Sequence, residues 1–241
     1  MGLTWDEKAF YMQNGYLLPG RTLLPKDKFK ALCNIFEEHL ASQDKQMDTP
    51  HFRDERLFPF LMSDEVLTVV ADIIGPNIGL WSSHFICKEP KLGKRTPWHE
   101  DSAYWQGRFD TFDKVVTLWL AIDESTLENG CMGVVPGSHT NGFSEYGDVD
   151  GEKAIFDSEI KTHVNEADVV WFQLPKNTYS LHDSRIIHGA NANTSAKRRT
   201  GYTMRYFSAD LRLNRNHPGN KGHKIYHCRG INRGDNPLIY L

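Results

Sequence analysis

The chemistry suggested by this sequence starts with a short motif, His99-Glu100-Asp101, inside the segment PWHEDSAYW at 97–105. If residues 97–101 form a strand, His99 and Asp101 point to one face and Glu100 points to the other. One imidazole and one carboxylate then converge on a single point. They would supply two members of the two-His-one-carboxylate set that binds non-haem Fe(II) and leaves coordination positions open.

A third ligand is needed, and spacing alone does not identify it. Four downstream histidines lie within or beside predicted strands: His139, His163, His182 and His188. His188 ends an apolar run, and a polar turn leads from it to the next strand. A histidine that ends one strand and an arginine that begins the next can face one cavity.

Three helices are predicted to precede these residues. Thr4 and Glu7 form a capping-box pattern, so a helix is expected from Trp5 to Gln13, with Gly15 as its stop signal. A second, amphipathic helix starts near Pro25, and a third runs from a Ser63 cap to Gly75.

Short β-rich runs separated by Gly, Pro, Asn and Asp follow these helices. We predict strands near 78–88, 97–101, 115–123, 131–136, 168–173, 180–188 and 201–208. Because no helix separates successive strands, the pattern indicates an antiparallel sandwich or barrel with helices on one face. We expect a single domain over 1–241, with a helical part to about 77, a β core over about 78–210 and an extension over about 211–241. Residues 142–162 are the candidate for a long surface loop or lid.

Bulk composition excludes several classes of protein. The net charge is −3 and the hydrophobic content is 39%, which is typical of a globular protein with no charge-driven affinity for nucleic acid. No apolar run approaches the roughly 20 residues of a membrane span. The start MGLTWDEKAF does not resemble a signal peptide, so we expect a cytoplasmic protein without membrane or nucleic-acid partners. The choice between monomer and homodimer stays open.

Several separated motifs, in this order, resemble the phytanoyl-CoA dioxygenase (PhyH-like) family of Fe(II)- and 2-oxoglutarate-dependent oxygenases. They are FYMQNGYLLPG (10–20), GPNIGLWSSHFICKEP (75–90), WHED (98–101), LWLAIDESTLENGCMGVVPGSH (118–139) and HGANANTS (188–195) followed by Arg198 and Arg199. The resemblance covers nearly the whole chain. It implies a double-stranded β-helix, that is a jelly-roll, cupin-like core, with the N-terminal α-helices on one face.

The resemblance also implies the roles of individual residues. His99, Asp101 and His188 would be the iron ligands, and Arg199 would pair with the distal carboxylate of 2-oxoglutarate. A guanidinium fork suits a carboxylate, and Arg198 is the competitor for this role. Trp119 and His84 would line the co-substrate pocket, although a plain packing role is an alternative for each.

The implied reaction uses Fe(II), 2-oxoglutarate and O2, hydroxylates an unactivated C–H and releases succinate and CO2. Asp101 stands where halogenating relatives have Ala or Gly, which favours hydroxylation. Ala190 stands where many relatives have a serine that bonds the co-substrate carboxylate, so Arg199 has less support here.

The substrate is expected to be a small, anionic molecule. Aromatic and basic side chains near the predicted site could form its pocket: Tyr104, Trp105, Arg108, His182, Arg185 and Arg205. An organophosphonate such as 2-aminoethylphosphonate, with its amine on Glu100, is the preferred example. A specialised metabolite, an amino acid or an acyl-CoA is the alternative. Two other classes stay open, a cupin-like metalloenzyme without 2-oxoglutarate and a non-catalytic binding protein.

Overall fold

The computed structural model describes residues 2–42, 47–150, 152 and 154–241. Residue 1, residues 43–46 and residues 151 and 153 lie outside this description, so two residues of the predicted 142–162 loop lie outside it as well. The extent of the predicted domain, 1–241, stays a prediction.

The three predicted helices are present, and the caps of the first explain its boundaries, whereas the predicted Ser63 cap makes no side-chain capping bond. The α-helices of the described chain are α1 (Trp5–Asn14), α2 (Lys26–Ala41), α3 (Phe58–Leu61), α4 (Asp64–Ile74) and α5 (Asp101–Tyr104). Thr4 and Glu7 form the predicted capping box: the Thr4 hydroxyl accepts from the Glu7 N–H at 3.2 Å, and the Glu7 carboxylate accepts from the Thr4 N–H at 2.8 Å. Gly15 ends α1 at φ +76°, a left-handed conformation that favours glycine.

Most of the remaining chain forms antiparallel strands. They are β1 (Tyr16–Leu17), β2 (Ile78–Lys88), β3 (Thr96–His99), β4 (Val115–Ala121), β5 (Met132–Val134), β6 (Tyr146–Asp148), β7 (Ser158–Ile160), β8 (Val170–Trp171), β9 (Tyr179–Asp183), β10 (His188–Ala190), β11 (Arg199–Ser208) and β12 (Tyr226–Arg229). A six-stranded sheet has the order β1-β9-β4-β11-β2-β12, and a four-stranded sheet has the order β3-β10-β5-β8. Strands β6 and β7 pair with each other, and β12 places part of the C-terminal extension at the edge of the larger sheet.

Alternation along the central strands of the larger sheet separates two environments. Leu118 and Leu120 are buried in the apolar core formed with the helices, which includes Phe36 and Val66. Trp119, between them in sequence, packs instead in the space between the two sheets, with apolar residues of β5 such as Met132 and Val134. The helices therefore cover one face of the larger sheet, as predicted, and the opposite face is available for a site.

Two strand predictions are wrong at positions that matter for the site. The predicted strand 180–188 is two strands, because the chain turns at 184–187 and passes from the larger sheet to the smaller one. The Asp183 carboxylate and carbonyl stabilise this turn by accepting from the backbone N–H groups of Arg185 and Ile186. The predicted strand 97–101 ends at His99, and Asp101 is the first residue of α5.

None of the helices in the described ranges is both long and apolar enough to span a membrane.

Candidate active site

A cavity of about 730 Å³ lies between the two sheets. Its wall includes most of the side chains that the sequence assigns to iron, co-substrate or substrate: His84, His99, Asp101, Tyr104, Trp105, Arg108, Trp119, His182, His188, Arg199 and Arg205. These residues come from both sheets and from α5, so the sandwich brings together positions that are far apart in sequence.

Three of these side chains form a compact group of possible metal ligands. One donor atom from each of His99, Asp101 and His188 lies within 4.8 Å of the others, and all three residues are buried. His99 and His188 are register partners on β3 and β10, and their rings are 4.1 Å apart. Asp101 lies outside the strand, yet the backbone of Glu100 stays extended at φ −108° and ψ 135°, so the alternation continues one residue beyond the ladder.

The other histidines that spacing left open are placed differently. His139 packs beneath Gly15, with its Nε2 at 3.3 Å from the carbonyl oxygen of Met12, and His163 is exposed. His182 lines the cavity with its ring 5.1 Å from that of His188, but it is outside the three-residue group. Its Nδ1 is buried without a hydrogen-bond partner among the described residues.

Backbone carbonyls fix the tautomer of both histidines in the group. Nδ1 of His99 donates to the carbonyl oxygen of Pro97 at 2.8 Å, and Nδ1 of His188 donates to that of Ile186 at 2.9 Å. Because a carbonyl oxygen only accepts, each Nδ1 carries a hydrogen, and in the neutral tautomer this leaves the lone pair on Nε2. Burial, and then the neighbouring His188, lower the pKa of His99 to about 3, so its imidazole is neutral at pH 7.

The carboxylate of the group is held in its anionic form. Arg205 donates from Nε to Oδ2 of Asp101 at 3.0 Å, and the Thr117 hydroxyl donates to the same oxygen at 3.4 Å. Burial by itself raises the pKa of Asp101, but the charge of Arg205 and the two neighbouring histidines lower it by more, so the net shift is downward. Two imidazoles and one carboxylate are a donor set that suits a divalent transition metal.

A buried cation lies at another part of the cavity wall. Arg199 is 2% exposed, and its Nε and Nη2 both donate to the carbonyl oxygen of Gly130, Nε at 3.0 Å. Its guanidinium carbon is 5.6 Å from the centre of the Trp119 ring. Within the described ranges no carboxylate forms an ion pair with it. Burial lowers the pKa of Arg199 to about 10, so the group is still charged at pH 7 and can receive an anion from the cavity.

The competitor, Arg198, points away from the cavity. It pairs with Asp123 at 2.8 Å and with Glu37 at 2.6 Å, and its guanidinium lies over the Phe36 ring in the core beneath the helices. The two arginines therefore face opposite sides of the larger sheet, and Arg199 is the one that lines the cavity.

The sequence analysis did not predict a second buried basic side chain, Lys88, which lies beside Arg199. Lys88 is 3% exposed and is the register partner of Arg199 on β2. Its Nζ donates to the carbonyl oxygens of Ala190 and Asn191. Burial, and then the charge of Arg199, lower the pKa of Lys88 to about 6. A lysine at the end of a mostly buried strand was the available signal, since Lys88 shares its strand face with Ile86 and His84.

The arginines assigned to an anionic substrate are engaged by the protein itself. Arg108 donates to Asn220 at 2.7 Å and to the Gly219 carbonyl, and its guanidinium is 4.3 Å from the Trp81 ring. Arg205 is bound to Asp101. The cavity wall around them is largely aromatic, with Phe52, Trp81, Tyr104, Trp105, Phe156 and His223.

Two other expectations about the substrate pocket are wrong. Glu100 is outside the cavity wall, since its carboxylate accepts from the hydroxyls of Ser144 and Tyr146. Arg185 is also outside that wall and pairs with Asp183 and Asp113, because it lies in the turn between β9 and β10. Neither side chain is placed to bind a ligand in this cavity.

The predicted loop at 142–162 contains the β6–β7 ladder in its described part. It contributes Ile155 and Phe156 to the cavity wall, and the Phe156 ring is 5.1 Å from that of His99. Its action as a lid stays a prediction.

Comparison with known proteins agrees with this arrangement. The family model described as phytanoyl-CoA dioxygenase (PhyH) matches residues 11–201, which is most of the chain. The chain belongs to the phytanoyl-CoA dioxygenase family. The matched range includes the His99–Asp101–His188 group and Arg199.

Two curated relatives illustrate the range of this family. A phytanoyl-CoA dioxygenase domain-containing protein 1 homolog of Caenorhabditis elegans is 26% identical over 188 residues, which cover 70% of this chain. A protein of Stutzerimonas stutzeri named probable alpha-ketoglutarate-dependent hypophosphite dioxygenase is 28% identical over 169 residues, which cover 69% of this chain. The chain spans 65% of the length of the first relative and 58% of the length of the second.

A solved structure supports the fold of the family. The structure described as a non-heme monooxygenase, ThoJ in its apo form, superimposes with a TM-score of 0.78 at 19% sequence identity. The superposition covers 98% of this chain and 87% of the other, so the jelly-roll fold extends over nearly the whole chain.

Proposed function

We propose that this chain is an Fe(II)- and 2-oxoglutarate-dependent dioxygenase that hydroxylates an unactivated C–H of a small molecule and releases succinate and CO2. The observation that carries the proposal is the His99–Asp101–His188 group, whose two imidazoles have Nδ1 bonded to carbonyls and Nε2 free. Membership of the phytanoyl-CoA dioxygenase family supports the same reaction.

The residues of the cavity fit both the metal and the co-substrate. Nε2 of His99, Nε2 of His188 and a carboxylate oxygen of Asp101 would hold the iron. Arg199 would pair with the C5 carboxylate of 2-oxoglutarate, which would neutralise a guanidinium whose hydrogen bonds, among the described residues, go to one backbone carbonyl oxygen. Trp119 would pack beside it. Bound Fe(II) and 2-oxoglutarate supply the oxygen activation that side chains cannot provide.

The protein's own contribution is position and exclusion of water. The buried carbonyls at 97 and 186 orient the imidazoles, and the buried Asp101 supplies the negative charge that a cation needs in a cavity of low dielectric. Because Asp101 occupies the third ligand position, hydroxylation is favoured over halogenation.

Arg199 distinguishes this proposal from the two alternatives. A cupin-like metalloenzyme that works without 2-oxoglutarate has no need for a buried guanidinium beside its metal site. A binding protein that had lost turnover would be free to lose the ligand set, whereas here all three ligands and Arg199 line one cavity.

The finer prediction, an organophosphonate such as 2-aminoethylphosphonate, is supported by the relative named as a hypophosphite dioxygenase. The ion pair of Arg205 with Asp101 weighs against it, because that guanidinium charge is already compensated, whereas Arg108 is bonded to uncharged oxygens. A panel of small phosphonates, amino acids, an acyl-CoA and uncharged aromatic compounds separates these classes. If the substrate is an organophosphonate, only the phosphonates should stimulate succinate release.

The proposed function is tested by the conversion of 2-oxoglutarate to succinate with Fe(II) and O2, measured across that panel. We expect conversion by the wild type and by His163→Ala, which removes an exposed histidine outside the cavity. We expect none by His188→Ala. Conversion that survives His188→Ala would contradict the proposal, as would iron-loaded wild type that turns over a substrate without consuming 2-oxoglutarate.

A further inference from the structure

We propose that Arg205 is a positioning residue that makes Asp101 bind the metal through one oxygen. The inference rests on the proposed function and concerns the same site. It gives Arg205 a role different from the substrate contact expected from the sequence.

The contacts of the two Asp101 oxygens are unequal. Oδ2 accepts from Nε of Arg205 at 3.0 Å and from the Thr117 hydroxyl at 3.4 Å. Oδ1 accepts from Nη2 of Arg205 at 3.4 Å and lies 3.9 Å from Nε2 of His99. Oδ2 therefore accepts from two protein donors, the nearer at 3.0 Å, whereas Oδ1 accepts from one donor at 3.4 Å and faces a histidine ligand.

Asp101 needs such support because of its place in the chain. His99 and His188 are fixed by the β3–β10 ladder, whereas Asp101 follows the last ladder residue and starts the short helix α5. A carboxylate that is free to rotate can bind a metal through both oxygens. That mode would use a coordination position that 2-oxoglutarate or O2 requires.

Arg205 is itself rigidly placed. It lies on β11 with Thr117 as its register partner on β4, so both donors to Oδ2 come from neighbouring strands of the larger sheet. Its side chain is 14% exposed, and its guanidinium carbon is 5.5 Å from the centre of the Trp105 ring. A planar fork held against a ring fixes the orientation of a carboxylate, which a lysine ammonium does not do.

The test compares two conservative substitutions, Arg205→Lys and Arg56→Lys. Arg56 donates to Asp54 through the same two nitrogens, Nε and Nη2, but Arg56 and Asp54 lie outside the cavity wall. Each variant is titrated anaerobically with Fe(II), and the charge-transfer spectrum is recorded after 2-oxoglutarate is added. We expect Arg205→Lys to weaken Fe(II) binding by about 10–100-fold and to displace the band, and Arg56→Lys to match the wild type.

A second variant guards against misfolding of Arg205→Lys. Thr117→Val removes only the hydroxyl donor to Oδ2, and we expect it to shift the band in the same direction with a smaller loss of Fe(II) affinity. Normal Fe(II) binding and an unshifted band in both Arg205→Lys and Thr117→Val would overturn this inference and leave the proposed function standing. Absence of Fe(II) binding by the wild type would overturn the proposed function and this inference together.

Discussion

The two ends of the cavity differ in how their charged side chains are paired. At the metal end, the Asp101 carboxylate is paired with Arg205, and both imidazoles are oriented by backbone carbonyls. At the proposed co-substrate end, the Arg199 guanidinium is buried beside the Lys88 amine of the neighbouring strand, and among the described residues their hydrogen bonds go to backbone carbonyl oxygens. The metal end is a preassembled ligand set, whereas the co-substrate end has a positive charge that an incoming carboxylate would neutralise. A substitution at one end should therefore weaken the binding of its own ligand and leave the binding of the other ligand unchanged.

The largest effect is expected at the metal end. His188→Ala removes one of three ligands, and we expect Fe(II) affinity to fall by about 100-fold or more, as measured by anaerobic titration. His163→Ala is the control, because it removes an exposed histidine. Equal affinities in the two variants would show that His188 does not bind the metal.

Arg199→Ala should weaken the binding of 2-oxoglutarate and leave the binding of Fe(II) nearly unchanged. Losing a buried charge pair costs about 2–5 kcal/mol, so 2-oxoglutarate should bind the iron-loaded protein at least about 30-fold more weakly. Fe(II) affinity should change by no more than about twofold. Loss of Fe(II) binding in this variant would contradict the separation of the two ends.

Lys88→Met should change how stability depends on pH. With a folded pKa of about 6 against an ordinary value of 10.5, Lys88 binds fewer protons in the folded protein than in the unfolded chain between those two values. The free energy of unfolding therefore rises with pH across that window and falls as pH drops towards 6. Between pH 6.5 and 8.5 the wild type should gain about 2 kcal/mol more than Lys88→Met, as measured by urea denaturation. Parallel pH profiles would show that the Lys88 amine is charged in the fold.

The smallest effect is expected for Trp119→Phe. The Trp119 ring lies against Gly201, where a Cβ would overlap it, and the Arg199 guanidinium is 5.6 Å from its centre. Loss of this cation–π contact, about 0.5–1 kcal/mol, should weaken 2-oxoglutarate binding by about two- to fivefold and leave Fe(II) binding unchanged. A larger effect on Fe(II) than on 2-oxoglutarate would place Trp119 at the metal end.

The two ends also differ in how far the sequence predicts them. His99 and Asp101 lie two residues apart, so local alternation is enough to bring them together, even though the ladder ends at His99. His188 required the family resemblance, because four histidines had suitable positions. The turn that precedes it was missed since residues 180–188 contain no Gly or Pro to mark a break.

The sequence marks Lys88 as a candidate buried lysine, but its contacts could not be predicted for a different reason. Its acceptors are the carbonyls of Ala190 and Asn191, about a hundred residues away, and backbone carbonyls leave no trace in residue types. The same applies to Arg108 and Arg205, whose charge is visible in the sequence but whose partners Asn220 and Asp101 are set by the tertiary fold.

The most direct test of the account is the visible spectrum that forms when Fe(II) and then 2-oxoglutarate are added anaerobically to the metal-free protein. We predict a weak metal-to-ligand charge-transfer band for the wild type. Arg199→Ala should bind Fe(II) but give a much weaker band at the same 2-oxoglutarate concentration, and His188→Ala should give neither. Wild-type protein that binds Fe(II) without forming the band would contradict the co-substrate assignment, and wild-type protein that binds no Fe(II) would contradict the metal site itself.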